Sequence, residues 1–484
     1  MRVAKDEIIK VLTHFNPWWH KEPIPDLSRW RRAAFRELFT WVFKPPAPRA
    51  VFLSGARQIG KTTLLLQAID RLLKEGVPAA NILYVTFDHP IIKVVGIDAV
   101  LEAWREREPK APGPEYLFLD EAQFMPDWGT WVKHQVDFDK NRRIVFTGSA
   151  MPLLHSKQES GVGRWYTIRL TTLSFYEYLQ LSQLKAQAAI LPTLPKLKSL
   201  RDLFTWSSSE LARVSAIATP YVGHFHEYLI KSGFPQPSQM DSIHQTQRLL
   251  REDIIDKALK RDMTAMFGVR LVLELEQTFL YLCLHDGGLL NMPQLCENLG
   301  IKRPTAQHFI ELLEATHLIY RLQPFGYGKE ILRGKYKIYL ADAAISSAVL
   351  LRGKQIIENP TALGIATETA VFKHLFARYY SQAVRFSYWQ GDKNHEVDLV
   401  AEVGDRLIPF EVKYRSQHTN LADLKGLLEL CQKKSIEYAY VATKSLDDFG
   451  LLETKNSVNT KIMRIPAPLL CYWMGELELA VLND

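Results

Sequence analysis

From Val51 to about Tyr178, short apolar runs alternate with longer stretches of helical period. Such alternation marks parallel strands whose connecting helices cover both faces of one sheet. Val51–Ser54, Ile82–Phe87, Tyr116–Leu119 and Arg143–Thr147 are the predicted strands, because strands buried on both faces carry near-continuous apolar side chains. Residues 1–50 form an amphipathic lead-in with aromatic Phe15, Trp18, Trp19 and Trp30. Pro45, Pro46 and Pro48 end any helix before the first strand, since proline lacks the N–H that a helix interior needs.

Beyond the sheet the pattern changes. Residues 183–209 carry small residues, lysines, Pro192 and Pro195, and are expected to be an insertion or linker. A helical block spans 210–286, and 287–341 predicts helix, turn, helix and basic hairpin. The segment 342–484 mixes helices with a hairpin and short strands. At 484 residues the chain exceeds a single core, and its 47% apolar and 23% charged residues suit an ordinary globular protein. Cys283, Cys296, Cys431 and Cys471 show no CxxC spacing, which excludes a zinc ribbon or disulfide framework and suits a reducing compartment. Met1–Lys10 alternates charge and apolarity, unlike a signal peptide, and no apolar run approaches the roughly 20 residues of a membrane span. A cytoplasmic protein with no membrane contact is expected. The formal charge of +7 permits an anionic partner without demanding one.

Gly55-Ala56-Arg57-Gln58-Ile59-Gly60-Lys61-Thr62 fits GxxxxGK[ST], and Thr63-Leu64-Leu65-Leu66 opens a helix behind it. Gly55 and Gly60 let the backbone turn its N–H groups around phosphate oxygens. Lys61 would reach the terminal phosphates and Thr62 would coordinate magnesium, so Gly55 to Thr63 form the candidate site for ATP and Mg. The strand Leu117–Leu119 delivers Asp120 to the sheet edge, where it can hold the magnesium through water. Glu121, one residue on, can polarise the attacking water. The extra strand Ile82–Phe87 lies between the two motifs, which places the sheet in the ATPase class that uses a glutamate. Thr147-Gly148-Ser149 ends the next strand, where Ser149 or Thr147 can sense the terminal phosphate. Arg164 follows, either reaching phosphate in this subunit or the next, or forming a surface salt bridge.

The succession Asn16-Pro17-Trp18-Trp19, Gly55–Thr62, Phe87-Asp88, Asp120-Glu121, Thr147-Gly148-Ser149, Gly163-Arg164, Ser174-Phe175-Tyr176-Glu177 and Gly233-Phe234-Pro235 resembles one family over nearly the whole chain. That family is the prokaryotic AAA-type ATPases with a C-terminal domain of unknown function and nuclease-like fold. It usually shows two arginines in the phosphate loop, whereas here Arg57 precedes Gln58. Phosphate binding should survive, because those positions contribute backbone N–H groups. The resemblance implies a homo-oligomer, since AAA-type sites often lie at subunit boundaries.

Met292–Ile301 predicts a short helix running into a glycine turn, and Pro304–Leu313 a second helix. Arg321, Lys329, Arg333, Lys335 and Lys337 then interleave with Tyr320, Phe325, Tyr327 and Tyr336, as a phosphate-contacting wing would. Arg303, Lys329, Arg333, Lys335 and Lys337 are the candidate DNA contacts; the alternative is a winged helix used only for packing. In the last segment, Glu396–Val400 and Ile408–Lys413 predict a hairpin with Val403-Gly404-Asp405 as its turn. Asp398, Glu411 and Lys413 fit a D…ExK pattern, and Glu368 on a preceding helix could lean over the same spot. This resembles the PD-(D/E)xK nuclease fold, in which the carboxylates bind magnesium and Lys413 orients the water. An inactive DNA-binding core and a chance hairpin are the competing readings.

The expected architecture is α/β. It comprises a lead-in (1–50), an AAA-type P-loop NTPase core with a parallel sheet (51–182), a linker (183–209), a helical lid region (210–286), a winged helix (287–341) and a PD-(D/E)xK nuclease-like domain (342–484). The expected function is an ATP-hydrolysing enzyme acting on structured or branched DNA, with a nucleotide-switched signalling ATPase as the rival reading.

Overall fold

The computed structural model describes residues 3–149, 163–184, 190–264, 269–326, 334–380, 382, 384–391, 395–454 and 459–480. The chain divides into two compact units, Met1–Leu170 with Ala315–His317, and Thr171–Glu314 with Leu318–Asp484.

In the first unit β1 (Ala50–Gly55), β2 (Ile82–Thr86), β3 (Glu115–Asp120), β4 (Arg142–Gly148) and β5 (Trp165–Leu170) form a parallel sheet in the order β2-β3-β4-β1-β5. The four predicted runs match β1 to β4. The strand that separates β1 from β3 is β4, whereas β2, which precedes β3 in sequence, lies at the sheet edge. No run was predicted for β5, where Thr167 and Arg169 interrupt the apolar pattern. The helices are α1 (Lys5–Phe15), α2 (Ala34–Phe43), α3 (Lys61–Lys74), α4 (Pro90–Arg107) and α5 (Trp128–Phe138). Ile8 and Leu12 of α1 share a buried cluster with Leu83, Val85, Trp104, Leu117 and Leu119. Each such side chain contributes about 1.5–3 kcal/mol by leaving water.

The lead-in is therefore part of this unit, and Asn16 shows why. Its Nδ2 donates to the Tyr84 carbonyl at 2.9 Å, while the Tyr84 N–H donates to its Oδ1 at 2.7 Å. Trp18 and Trp19 both donate Nε1 to the Ile82 carbonyl, at 3.2 and 3.0 Å. Side chains thus take the hydrogen bonds that a further strand would have taken along the edge of β2.

The second unit holds an eight-stranded mixed sheet, ordered β12-β13-β11-β10-β9-β8-β6-β7. Its strands are β6 (Ile319–Pro324), β7 (Lys337–Leu340), β8 (Arg385–Gln390), β9 (Glu396–Val403), β10 (Arg406–Lys413), β11 (Tyr438–Thr443), β12 (Gly450–Glu453) and β13 (Lys461–Pro466). Helices α6 (Phe175–Gln183), α7 (Thr219–Lys231), α8 (Val272–Leu284), α9 (Met292–Leu299), α10 (Arg303–Ala315), α11 (Pro360–Tyr379), α12 (Lys425–Lys434) and α13 (Ala467–Ala480) accompany it. Helices α9 and α10 occupy the two stretches read as helical, with Gly300 at φ 61° between them. The hairpin after them differs from expectation. It is no free-standing wing, because β6 pairs in parallel with β8 through Gln323↔Ser387 and joins the same sheet as the β9–β10 hairpin. Within the expected linker, residues 190–209 are packed: Leu194, Leu197, Leu200 and Leu203 are buried, and Trp473 Nε1 donates to the Pro195 carbonyl at 2.9 Å. Among the described residues no helix is long and apolar enough to cross a membrane.

Candidate nucleotide site and carboxylate cluster

The phosphate loop links β1 to α3. Gly55 must be glycine, because a Cβ there would lie 2.4 Å from the Leu170 carbonyl oxygen on β5. Gly60 caps α3 at φ 95°, a left-handed backbone that favours glycine. Helix geometry leaves the first amides of α3, from Lys61 to Thr63, without intrahelical acceptors and aimed out of its N-terminus. Lys61 is 4% exposed, and its ammonium donates to the carbonyls of Gly55 and Ala56 at 3.0 and 2.9 Å. Its charge is thereby held inside the loop that Arg57, Gln58 and Ile59 complete. Gln58 takes φ 58°, a strained left-handed turn within the loop.

The acidic pair lies at the end of β3. Thr62 Oγ1 donates to Asp120 Oδ2 at 2.6 Å, joining the two motifs across the sheet. Tyr84 Oη donates to the same oxygen at 3.0 Å. Burial, then the Asp120 charge, push the Tyr84 phenol far above its ordinary value, so it acts as a donor. Thr147 Oγ1 donates to Asp120 Oδ1 and accepts the Glu121 N–H at 2.9 Å. Thr147 therefore orients the acidic pair. Glu121 itself stands at φ 53°, and its carboxylate accepts from Gln123 Nε2, which also lies 3.3 Å from Ser149 Oγ. Tyr84 and Gln123 were not singled out from sequence; only the fold brings them to the acids. Magnesium fits this oxygen set, since it takes one or two protein oxygens and fills its shell with water and phosphate oxygens.

Arg164 is placed elsewhere. Its carbonyl accepts from Ala50 N at the start of β1, and its guanidinium pairs with Asp137 at 3.2 Å. The phosphate loop begins at Gly55, five residues along the strand from Ala50, or about 17 Å away. Arg164 thus forms a salt bridge at the end of β1 away from its own chain's phosphate loop. Arg169, at the loop end of β5 and in register with Ser54, is the arginine nearer the loop.

A family model described as "AAA domain" matches residues 47–179, which contain this loop, the acidic pair and the sheet. Residues 47–179 are an AAA domain. Two further models match, both domains of unknown function, DUF8612 over 222–355 and DUF4143 over 363–467. An uncharacterised protein of Haemophilus influenzae is 26% identical over 387 residues, covering 77% of this chain and 86% of that protein. One of Mycobacterium tuberculosis is 25% identical over 391 residues, covering 78% of this chain and 74% of that protein. Among solved structures, Aeropyrum pernix Orc1 in complex with DNA is similar at 12% identity and TM-score 0.28, covering 67% of this chain and 94% of that one. DnaA bound to AMPPCP and single-stranded DNA is similar at 13% identity and TM-score 0.28, covering 61% and 90%. Scores this low support no functional comparison.

Outside the AAA domain, the second unit gathers Glu368, Asp398, Glu411 and Lys413 into one cluster. Glu368 comes from α11, Asp398 from β9, and Glu411 with Lys413 from β10. The β9–β10 ladder ends at Leu399↔Phe410. Beyond it, side chains take over: Val412 N–H donates to Asp398 Oδ2 at 2.9 Å, and Asp398 N–H to Glu411 Oε2 at 3.4 Å. Lys413 donates to Glu411. Burial, then the Asp398 charge, push Glu411 up to about 8 and Glu368 up to about 7. Burial also works to raise Asp398, but Lys337 and Lys413 outweigh it and hold that carboxyl below its ordinary value.

Lys337 corrects an expectation. Expected on a DNA-facing wing, it is 2% exposed, and its ammonium lies 2.8 Å from Glu368, 2.7 Å from Glu396 and 2.9 Å from Asp398. Strand β7 turns it into the unit, where the carboxylates hold its pKa above the ordinary value against the effect of burial. Among the described residues, no group of three or more His, Cys, Asp or Glu is arranged to hold a metal ion. A metal does not fit the cluster as it stands. Of the other basic candidates, Arg303 at the start of α10 and Lys335 are exposed, while Lys329 and Arg333 lie outside the described residues.

Proposed function

We propose that this protein is an ATPase that binds DNA. The ATPase reading rests on one observation, the 2.6 Å hydrogen bond that brings Thr62 of the phosphate loop to Asp120 of the acidic pair. In this reading the loop amides from Gly55 to Thr63 hold the phosphates of ATP and Lys61 neutralises the terminal one. Thr62 and Asp120 hold magnesium, which supplies charge neutralisation at the phosphate oxygens. Glu121, steadied by Thr147 and Gln123, takes a proton from the water that attacks the terminal phosphorus as the bond to the ADP oxygen breaks, giving ADP and phosphate. Glu121→Gln should keep ATP bound and abolish turnover, whereas Lys61→Ala should weaken binding itself. Normal hydrolysis by Glu121→Gln would remove Glu121 as the base.

DNA binding is supported by the helix-turn-helix. On α10 and the turn before it, Lys302, Arg303, Gln307 and His308 are exposed together. Such a polar, basic helix start suits phosphate and groove contacts. With few base-reading side chains, the preferred substrate would be recognised by shape, as structured or branched duplex is. ATP hydrolysis measured with and without single-stranded, duplex, forked and four-way DNA, alongside gel shifts, tests this. Stimulation by one branched form is the expected result; hydrolysis indifferent to all four and no shift would leave a nucleotide-switched signalling protein instead.

A further inference from the structure

The carboxylates that resemble a nuclease centre converge on a cation that belongs to the chain. Two of them, Glu368 and Asp398, surround the Lys337 ammonium together with Glu396, at 2.7 to 2.9 Å. Those are ordinary lengths for a charge-assisted N–H···O bond. Magnesium requires about 2.0–2.1 Å to each oxygen, so a metal would need the oxygens to close in by about 0.7 Å as well as the ammonium to leave. Lys337 cannot swing out cheaply, because it sits on β7, paired to Leu322 of β6, with its side chain 3% exposed. Tyr339 Oη donates to Glu368 at 2.8 Å, fixing the carboxylate from the next inward position of the same strand. The fourth carboxylate, Glu411, is taken by Lys413.

We infer that Lys337 is the resident cation of this cluster, standing where a divalent metal would stand, so that the second unit is not a metal-dependent nuclease. The strand carrying Lys337 lies outside the 363–467 segment that contains Glu368, Asp398, Glu411 and Lys413, so the carboxylates and their cation come from separately matched stretches of sequence. The pattern D…ExK alone gives no sign of it.

The test is Mn2+ titration of the full chain without nucleotide, by calorimetry and by electron paramagnetic resonance, on wild type, Asp398→Asn, Lys337→Met and the double variant. Wild type and Asp398→Asn should bind the same number of Mn2+ ions, because no site involves Asp398. Lys337→Met should gain about one Mn2+ per chain, and the double variant should lose that gain. A wild-type Mn2+ equivalent that disappears in Asp398→Asn overturns the inference, as does a folded Lys337→Met that gains none. Lys337→Arg, which keeps the charge, should gain none. Should Lys337→Met fail to fold, the comparison of wild type with Asp398→Asn decides alone. None of these readouts depends on ATP hydrolysis or DNA binding.

Discussion

Glu121 is one of two residues around the phosphate loop held in a left-handed backbone without being glycine; Gln58, at φ 58°, is the other. Such a conformation costs about 1–2 kcal/mol; at Glu121 the carboxylate accepts from Gln123 while the backbone N–H donates to Thr147. Gln123→Ala should therefore lower kcat for ATP by about ten-fold with KM little changed, since a hydrogen bond to a charged group is worth about 1.5–3 kcal/mol. Steady-state kinetics checks this; a rise in kcat would make Gln123 a restraint on the glutamate instead. At Gln58 nothing but the backbone demands the strain, so Gln58→Gly should raise stability by about 1 kcal/mol in thermal unfolding and leave ATP binding intact. The loop and the acidic pair were legible in the sequence because their chemistry is local: glycines, a lysine and a carboxylate at fixed spacing. Tyr84 and Gln123 were not, because a tyrosine inside an apolar strand and a glutamine in a turn look ordinary until the sheet sets them beside Asp120 and Glu121.

At the scale of elements, strands β1 to β4 were readable from apolar runs, while β5 was not. Its alternating Thr167 and Arg169 are those of a sheet edge, half turned away from the core. Pairings distant in sequence were equally invisible. Nothing local to Gln323 announces a partner at Ser387, so the hairpin before β8 looked like a separate wing. The lead-in gives the sharpest test. Asn16→Ala would strip the Tyr84 backbone of both its partners at a buried site, where each unsatisfied group costs about 1–3 kcal/mol. A loss of about 2–4 kcal/mol in chemical denaturation is expected. A loss below about 0.5 kcal/mol, the scatter of ordinary surface changes, would mean that water replaces the asparagine freely.

Taken over the whole molecule, basic residues that look alike in sequence have opposite meanings. Arg303 is exposed and Lys337 is buried among carboxylates. Arg303→Ala should leave thermal stability unchanged and weaken DNA binding, with a shallower dependence on salt because fewer counterions are released. Lys337→Ala should cost about 3–5 kcal/mol, since it strands buried charge without a partner. If gel shifts across a salt series do not respond to Arg303→Ala, α10 does not face nucleic acid. The capped edge of β2 also bears on where the chain can be cut. A fragment begun at residue 47, the start of the matched AAA segment, would lack Asn16, Trp18 and Trp19 and lay β2 bare to any other strand. Such a fragment would aggregate by edge-to-edge pairing even with every nucleotide-binding residue in place.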